Sequence, residues 1–101
     1  MSDLPVACTL GPDALSARRQ GLLGELAGRV VAHQELPDGH RLSFEDTDGN
    51  LELVFKTVAA ERRCCEFLRF QITVEPGGGA VTLDLTGPPG TREFVAALFE
   101  R

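Results

Sequence analysis

The chain has 101 residues, 43% of them hydrophobic, and a formal net charge of −5, which bounds it to one globular domain with a modest core. The acidic balance excludes the basic surface by which a protein binds nucleic acid on its own, and no apolar run approaches the ~18 residues of a membrane span. Three cysteines, an odd number with two adjacent, do not make the framework of a secreted disulfide scaffold. Met1-Ser2-Asp3-Leu4-Pro5 lacks a basic stretch followed by an apolar one, so no signal peptide is expected and a reducing cytoplasm is the natural setting.

Leu4 to Leu10 reads as a first strand, with Val6, Cys8 and Leu10 on one face. Gly11-Pro12-Asp13 opens a helix predicted to reach Gly28. Leu15, Leu22 and Leu26 form its apolar stripe, with Leu23 on the flank and Arg19 inside the stripe. Val30 to Leu36 is a predicted strand, Pro37-Asp38-Gly39 a tight turn and His40 to Glu45 the returning strand. Val30, Ala32 and Leu36 are expected to face inward from one arm, Leu42 and Phe44 from the other. His33 then falls on the outward side, with Val31 and Glu35.

Asp46-Thr47-Asp48-Gly49 introduces a second helix over Asn50 to Leu68, with Thr47 or Asp48 as its cap. Its predicted stripe is Leu51, Val54, Phe55, Val58, Cys65 and Leu68, with Glu61 and Arg62 on opposite shoulders. Arg69 to Glu75 and Ala80 to Thr86 alternate as strands, inward at Phe70, Ile72, Val74 and at Val81, Leu83, Leu85, and Gly77-Gly78-Gly79 joins them as a hairpin. Gly87-Pro88-Pro89-Gly90 breaks the chain, and Thr91 can cap a last helix bearing Val95, Leu98 and Phe99. The order β-α-β-β-α-β-β-α predicts an α+β two-layer sandwich, a mostly antiparallel sheet with helices on one face, in a ferredoxin-like variant.

Chemistry concentrates in Glu61-Arg62-Arg63-Cys64-Cys65-Glu66-Phe67-Leu68. A helix turns about 100° per residue, so adjacent cysteines within it diverge: Cys65 is placed in the core stripe and Cys64 on its more accessible flank. A disulfide between helical neighbours is disfavoured by its required geometry. Cys8 has inward parity on the first strand, so all three thiols can converge if that strand lies under the second helix. Such a soft donor set suits zinc, copper(I), mercury(II) or arsenic(III). Structural zinc fits less well, because its sulfurs sit roughly 3.8 Å apart and its cysteines are usually spaced. The plainer reading is that Cys65 is a small core hydrophobe and Cys64 its neighbour.

Glu61 lies one turn before the cysteines and can reach either thiol. It could accept a proton as a thiol ionises, supply an oxygen ligand, or pair with Arg19 or, failing that, Arg62. A nearby arginine also favours the thiolate. His40 is a candidate fourth ligand, although a histidine at the mouth of a turn reads more simply as solvated. Three motifs are rejected. Asp46-Thr47-Asp48-Gly49-Asn50 resembles a calcium loop with its glycine too early and Thr57 in place of the bidentate glutamate. The glycine-rich stretches lack phosphate-loop context, and nothing forms a Ser-His-Asp set.

The pattern Cys8, then Glu61-Arg62-Arg63-Cys64-Cys65-Glu66-Phe67, then Thr86-Gly87-Pro88 resembles a group of small bacterial proteins. They share an N-terminal Cys, a Glu-Arg-x-Cys-Cys-x-Phe core and a later Thr-Gly-Pro. That group is similar to segments associated with MerR-type heavy-metal-responsive regulators, and the resemblance implies a thiophilic metal ion as ligand; it carries no catalytic activity over to this chain. Glu66 stands where the pattern would place proline, which bears on how the helix ends.

The leading expectation is a cytoplasmic metal-binding domain. Its ligands would be Cys8, Cys64 and Cys65, with Glu61 as a base or weak ligand. A metal ion or small thiol-reactive molecule would be its partner, alongside a regulator or a second copy of the chain. The alternatives are a thiol oxidoreductase with Cys64 as nucleophile and Cys65 or Cys8 resolving the product, and an interaction domain with structural cysteines.

Overall fold

A computed structural model of the protein describes residues 21–99. The expected first strand with Cys8, and the part of the first helix that carries Leu15 and Arg19, lie outside the described residues. Within them the chain forms α1 (Leu22–Ala27), β1 (Ala32–Leu36), β2 (Gly39–Phe44), α2 (Asp48–Cys64), β3 (Arg69–Val74), β4 (Val81–Thr86) and α3 (Thr91–Leu98). The strands make one antiparallel sheet in the order β1-β2-β4-β3. The class is α+β, as the sequence predicts.

Two hairpins lie side by side, and their return strands β2 and β4 pair at the centre. Side chains alternate across a strand, so the register decides which residues share a face. His40, Leu42 and Phe44 stand opposite Leu85, Leu83 and Val81, and Phe70, Ile72 and Val74 stand opposite the same three. Leu26 of α1, Leu53 and Val54 of α2 and Val95 of α3 cluster with Leu42, Phe44, Val81, Leu83 and Leu85. The helices therefore cover one face, and each large apolar side chain buried there contributes about 1.5–3 kcal/mol. The opposite face is polar. Across it the guanidinium of Arg41 donates to both carboxylate oxygens of Asp84, at 2.8 and 2.9 Å, and this bond together with the charge of Asp84 raises the Arg41 pKa.

β1 turns out with the opposite parity from the one expected. His33 stands opposite Leu42 and Glu35 opposite His40, while Ala32, Gln34 and Leu36 pair with Ser43, Arg41 and Gly39 on the polar face. The turn is the cause: Leu36 opposes Gly39 across Pro37-Asp38, and turn length sets hairpin register. β1 is almost wholly exposed, so its few apolar residues cannot override that register. Gly39 has a steric reason as well, since a Cβ there would strike the backbone carbonyl of Leu85.

α2 is rotated and shortened relative to expectation. Its buried residues are Asn50, Leu53, Val54, Thr57, Glu61 and Cys64, a helical spacing of three and four, whereas Phe55 is 54% exposed. Polar anchoring at the start accounts for the rotation. Asn50 donates through Nδ2 to the Glu45 carbonyl at 3.0 Å and accepts from Arg29 at 3.0 Å, which holds it against the body of the domain. The Thr47 hydroxyl accepts from the Asn50 N–H at 3.1 Å, so the calcium-like stretch is a capped helix start. Thr57 satisfies its buried hydroxyl on the Leu53 carbonyl at 2.7 Å.

The helix stops at Cys64, and Cys65 leaves it at φ −112°, ψ 73° while its N–H still donates to the Glu61 carbonyl at 2.7 Å. The start of α3 is capped by Gly90 at φ 99°, not by Thr91. Thr91 instead donates its hydroxyl to the Pro88 carbonyl at 2.6 Å. No described helix is long and apolar enough to cross a membrane.

Candidate functional site

Helix termination at Cys64 is what builds the site. Within a continuing helix, neighbouring cysteines would point about 100° apart. Here Cys64 completes the buried stripe, and the break in backbone direction at Cys65 turns the next side chain inward too. Both are buried, at 3% and 0% exposure. The expectation of an accessible Cys64 on the helix flank is thus corrected. Glu66 does not continue the helix even though proline is absent there.

Glu61, one turn back, is 3% exposed and faces the interior rather than a shoulder. It lines a small gap of about 10 Å³ together with Leu26, Val58, Leu83 and Leu98. The Cys65 thiol donates to its Oε1 at 3.7 Å. One carboxylate oxygen of Glu61 and the sulfurs of Cys64 and Cys65 all lie within 4.8 Å of one another. Among the described residues this grouping of soft and acidic donors is wholly buried. Phe67 packs with the cysteines, and Phe94 meets Phe67 edge-on at 4.9 Å between ring centres, forming an apolar wall beside them.

The oxidation states of the two neighbours differ. Cys64 is disulfide-bonded, whereas Cys65 carries a thiol. The adjacent pair is therefore not bridged to itself, as helix geometry led one to expect, but the three thiols of the sequence reading are not all thiols here. Cys8 and Arg19, the expected third sulfur and the expected partner of Glu61, lie outside the described residues.

His40 does not join this group. It is 2% exposed rather than solvated, with Nε2 2.8 Å from the Arg92 carbonyl and Nδ1 2.6 Å from Nε2 of His33. The two imidazoles line a cavity between α1, α3 and the β1–β2 hairpin. Sequence reasoning placed His33 on the outer face. Counting the register outward from the Pro37-Asp38 turn, with residue 36 opposite 39, would have placed it opposite Leu42 and beside His40.

Chemically, the Glu61–Cys64–Cys65 group offers two sulfurs and one oxygen in a dry setting. It can hold a soft cation once both cysteines are thiolates, or carry thiol–disulfide exchange at Cys64. No protein family, no curated protein and no solved structure matches this chain.

Proposed function

We propose that the protein binds one soft metal or metalloid ion, of the mercury, zinc, copper(I) or arsenic class, through Cys64 and Cys65. Glu61 acts as a weak oxygen ligand or as acceptor of a thiol proton. Cys8, grouped with them by the sequence pattern, is the third sulfur of this reading. The observation that carries it is the convergence of three buried donors within 4.8 Å. Sulfurs bound to one zinc-sized ion lie roughly 3.8 Å apart, so the group needs only a small closure. Soft thiolates favour soft ions over calcium or magnesium.

Loading the site requires reduction. A dithiol or a phosphine delivers two electrons to the Cys64 disulfide, the S–S bond breaks, and each sulfur takes up a proton. The dithiol closes to its own disulfide, or the phosphine becomes its oxide with oxygen from water. Ion binding then displaces the thiol protons. In this reading the cytoplasm supplies the reducing setting, and a heavy-metal-responsive regulator or a second copy of the chain is the partner.

The experiment is native mass spectrometry of the whole chain, reduced and unreduced, titrated with zinc, mercury(II) and arsenite. One ion is expected on the reduced chain, with much weaker uptake by the oxidised form. A reduced chain that stays empty in all three titrations overturns the proposal.

A second reading is favoured by the disulfide at Cys64 beside the thiol of Cys65. In it the protein is a thiol oxidoreductase: one substrate thiolate attacks the disulfide to form a mixed disulfide and release the other cysteine as thiolate. A second attacks the mixed disulfide and leaves as the substrate disulfide, and the reduced Cys64 can then attack the next disulfide as nucleophile. Catalytic acceleration of disulfide reduction by a dithiol, lost in Cys64→Ser, would select this reading. A chain with neither activity is an interaction domain in which the cysteines serve the apolar cluster with Phe67.

A further inference from the structure

We propose that the cavity beside His33 and His40 binds a small weak acid with an apolar body, a single-ring aromatic carboxylic acid being the class that fits. The cavity has a volume of about 260 Å³ and is walled by Val30, Leu42, Val95 and Phe99, with Ala27 and Ala96 as its smallest lining residues. An apolar cavity of about 150 Å³ already accepts benzene, so one ring and a carboxyl group can be housed.

The polar part of the cavity is a relay whose direction follows from its end. A carbonyl only accepts, so His40 Nε2–H donates to the Arg92 carbonyl at 2.8 Å. Neutral His40 then has its lone pair on Nδ1, and His33 Nε2–H donates to it at 2.6 Å. Nδ1 of His33 is the ring nitrogen outside both bonds. A proton added there breaks neither of them, and the resulting imidazolium makes a charge-assisted bond to His40. A proton added to His40 would disrupt the relay instead, because its Nδ1 is the acceptor.

Two ion pairs flank the cavity among the described residues, and Arg92 keeps a buried Nε without a hydrogen-bond partner. Glu35 of β1, on the same face, takes the guanidinium of Arg92 from α3 at 2.7 Å. Arg29, following α1, bonds Glu25 at 3.4 Å and Asn50 at 3.0 Å. An imidazolium at His33 sets a positive charge at the solvent-facing rim of an otherwise apolar wall, and a carboxylate on a ring seated in the cavity can pair with it. If the ligand enters as the acid, its O–H proton moves to His33 Nδ1 and no other bond changes.

Benzoate and benzamide are the probes, titrated into the whole protein and followed by the imidazole resonances. Benzoate is expected to saturate in the millimolar range or below and to shift both histidines together. Benzamide, which has the same shape without the charge, should bind about tenfold more weakly. His33→Gln alters an exposed residue and Ala96→Trp fills the cavity from an exposed position on α3; each should weaken benzoate about tenfold or more while circular dichroism stays that of the wild type. Absence of saturable binding overturns the site. Equal binding of benzamide, or benzoate affinity unchanged in His33→Gln, overturns the acid-recognition role.

Discussion

The Cys65 sulfur sits 3.7 Å from Oε1 of Glu61, although the helix that carries Glu61 has ended one residue before the cysteine. An S–H···O contact is weak by itself. Its consequence is positional: it holds a buried carboxylate against a buried thiol, next to a second sulfur, where a proton leaving Cys65, or leaving Cys64 once its disulfide is reduced, has an acceptor within reach. Burial also excludes the water that would otherwise compete for a soft ion.

Replacing Glu61 by glutamine keeps the shape and removes the charge. Groups that support metal ligands typically contribute 10–100-fold to affinity, so mercury or zinc affinity of the reduced protein should fall by about that factor. A chelator-competition titration measures it. The second reading predicts instead a loss of exchange rate with metal affinity untouched.

Cys64→Ser should be costly for stability as well as for binding. Cys64 is 3% exposed, packs with Phe67 and takes part in a disulfide. Loss of a native disulfide from a small domain costs about 2–5 kcal/mol. Urea denaturation of wild type and variant should show a difference of that order under oxidising conditions. Most of it should vanish once the wild type is reduced.

Metal affinity should rise with pH. Thiols must lose their protons to become ligands, so at low pH protons compete with the ion and at high pH the competition ends. About two protons should be released per ion if both Cys64 and Cys65 bind. Calorimetry in buffers of different ionisation enthalpy counts them, and a count of zero would remove the thiolates from the site.

Gly39→Ala and Gly78→Ala should separate two uses of glycine. At Gly39 the new Cβ would collide with the Leu85 carbonyl, in the central pairing of β2 with β4. A loss at the upper end of the roughly 1–3 kcal/mol typical of overpacking is expected there. Gly78 has open space but φ 79°, so alanine should cost only about 1–2 kcal/mol, the left-handed backbone penalty. Thermal or urea melts compare the two directly.

Strand parity in β2, β3 and β4 was legible in the chain because alternation over these strands separates an apolar face from a polar one, and a central sheet position enforces that choice. Thr47 as helix cap and Glu61 within one turn of the cysteines were equally legible, since both depend on contacts three or four residues away. Three features were decided only by tertiary structure. The rotation of α2, which buries Asn50 and Glu61 and leaves Phe55 out, follows from bonds to Glu45 and Arg29. The face of β1 follows from a two-residue turn acting on a strand too exposed to have a preference, and that turn brings His33 to His40. The inward turn of both cysteines follows from a helix that ends between them. Local spacing assumes that a helix continues, and only the packed chain shows where it stops.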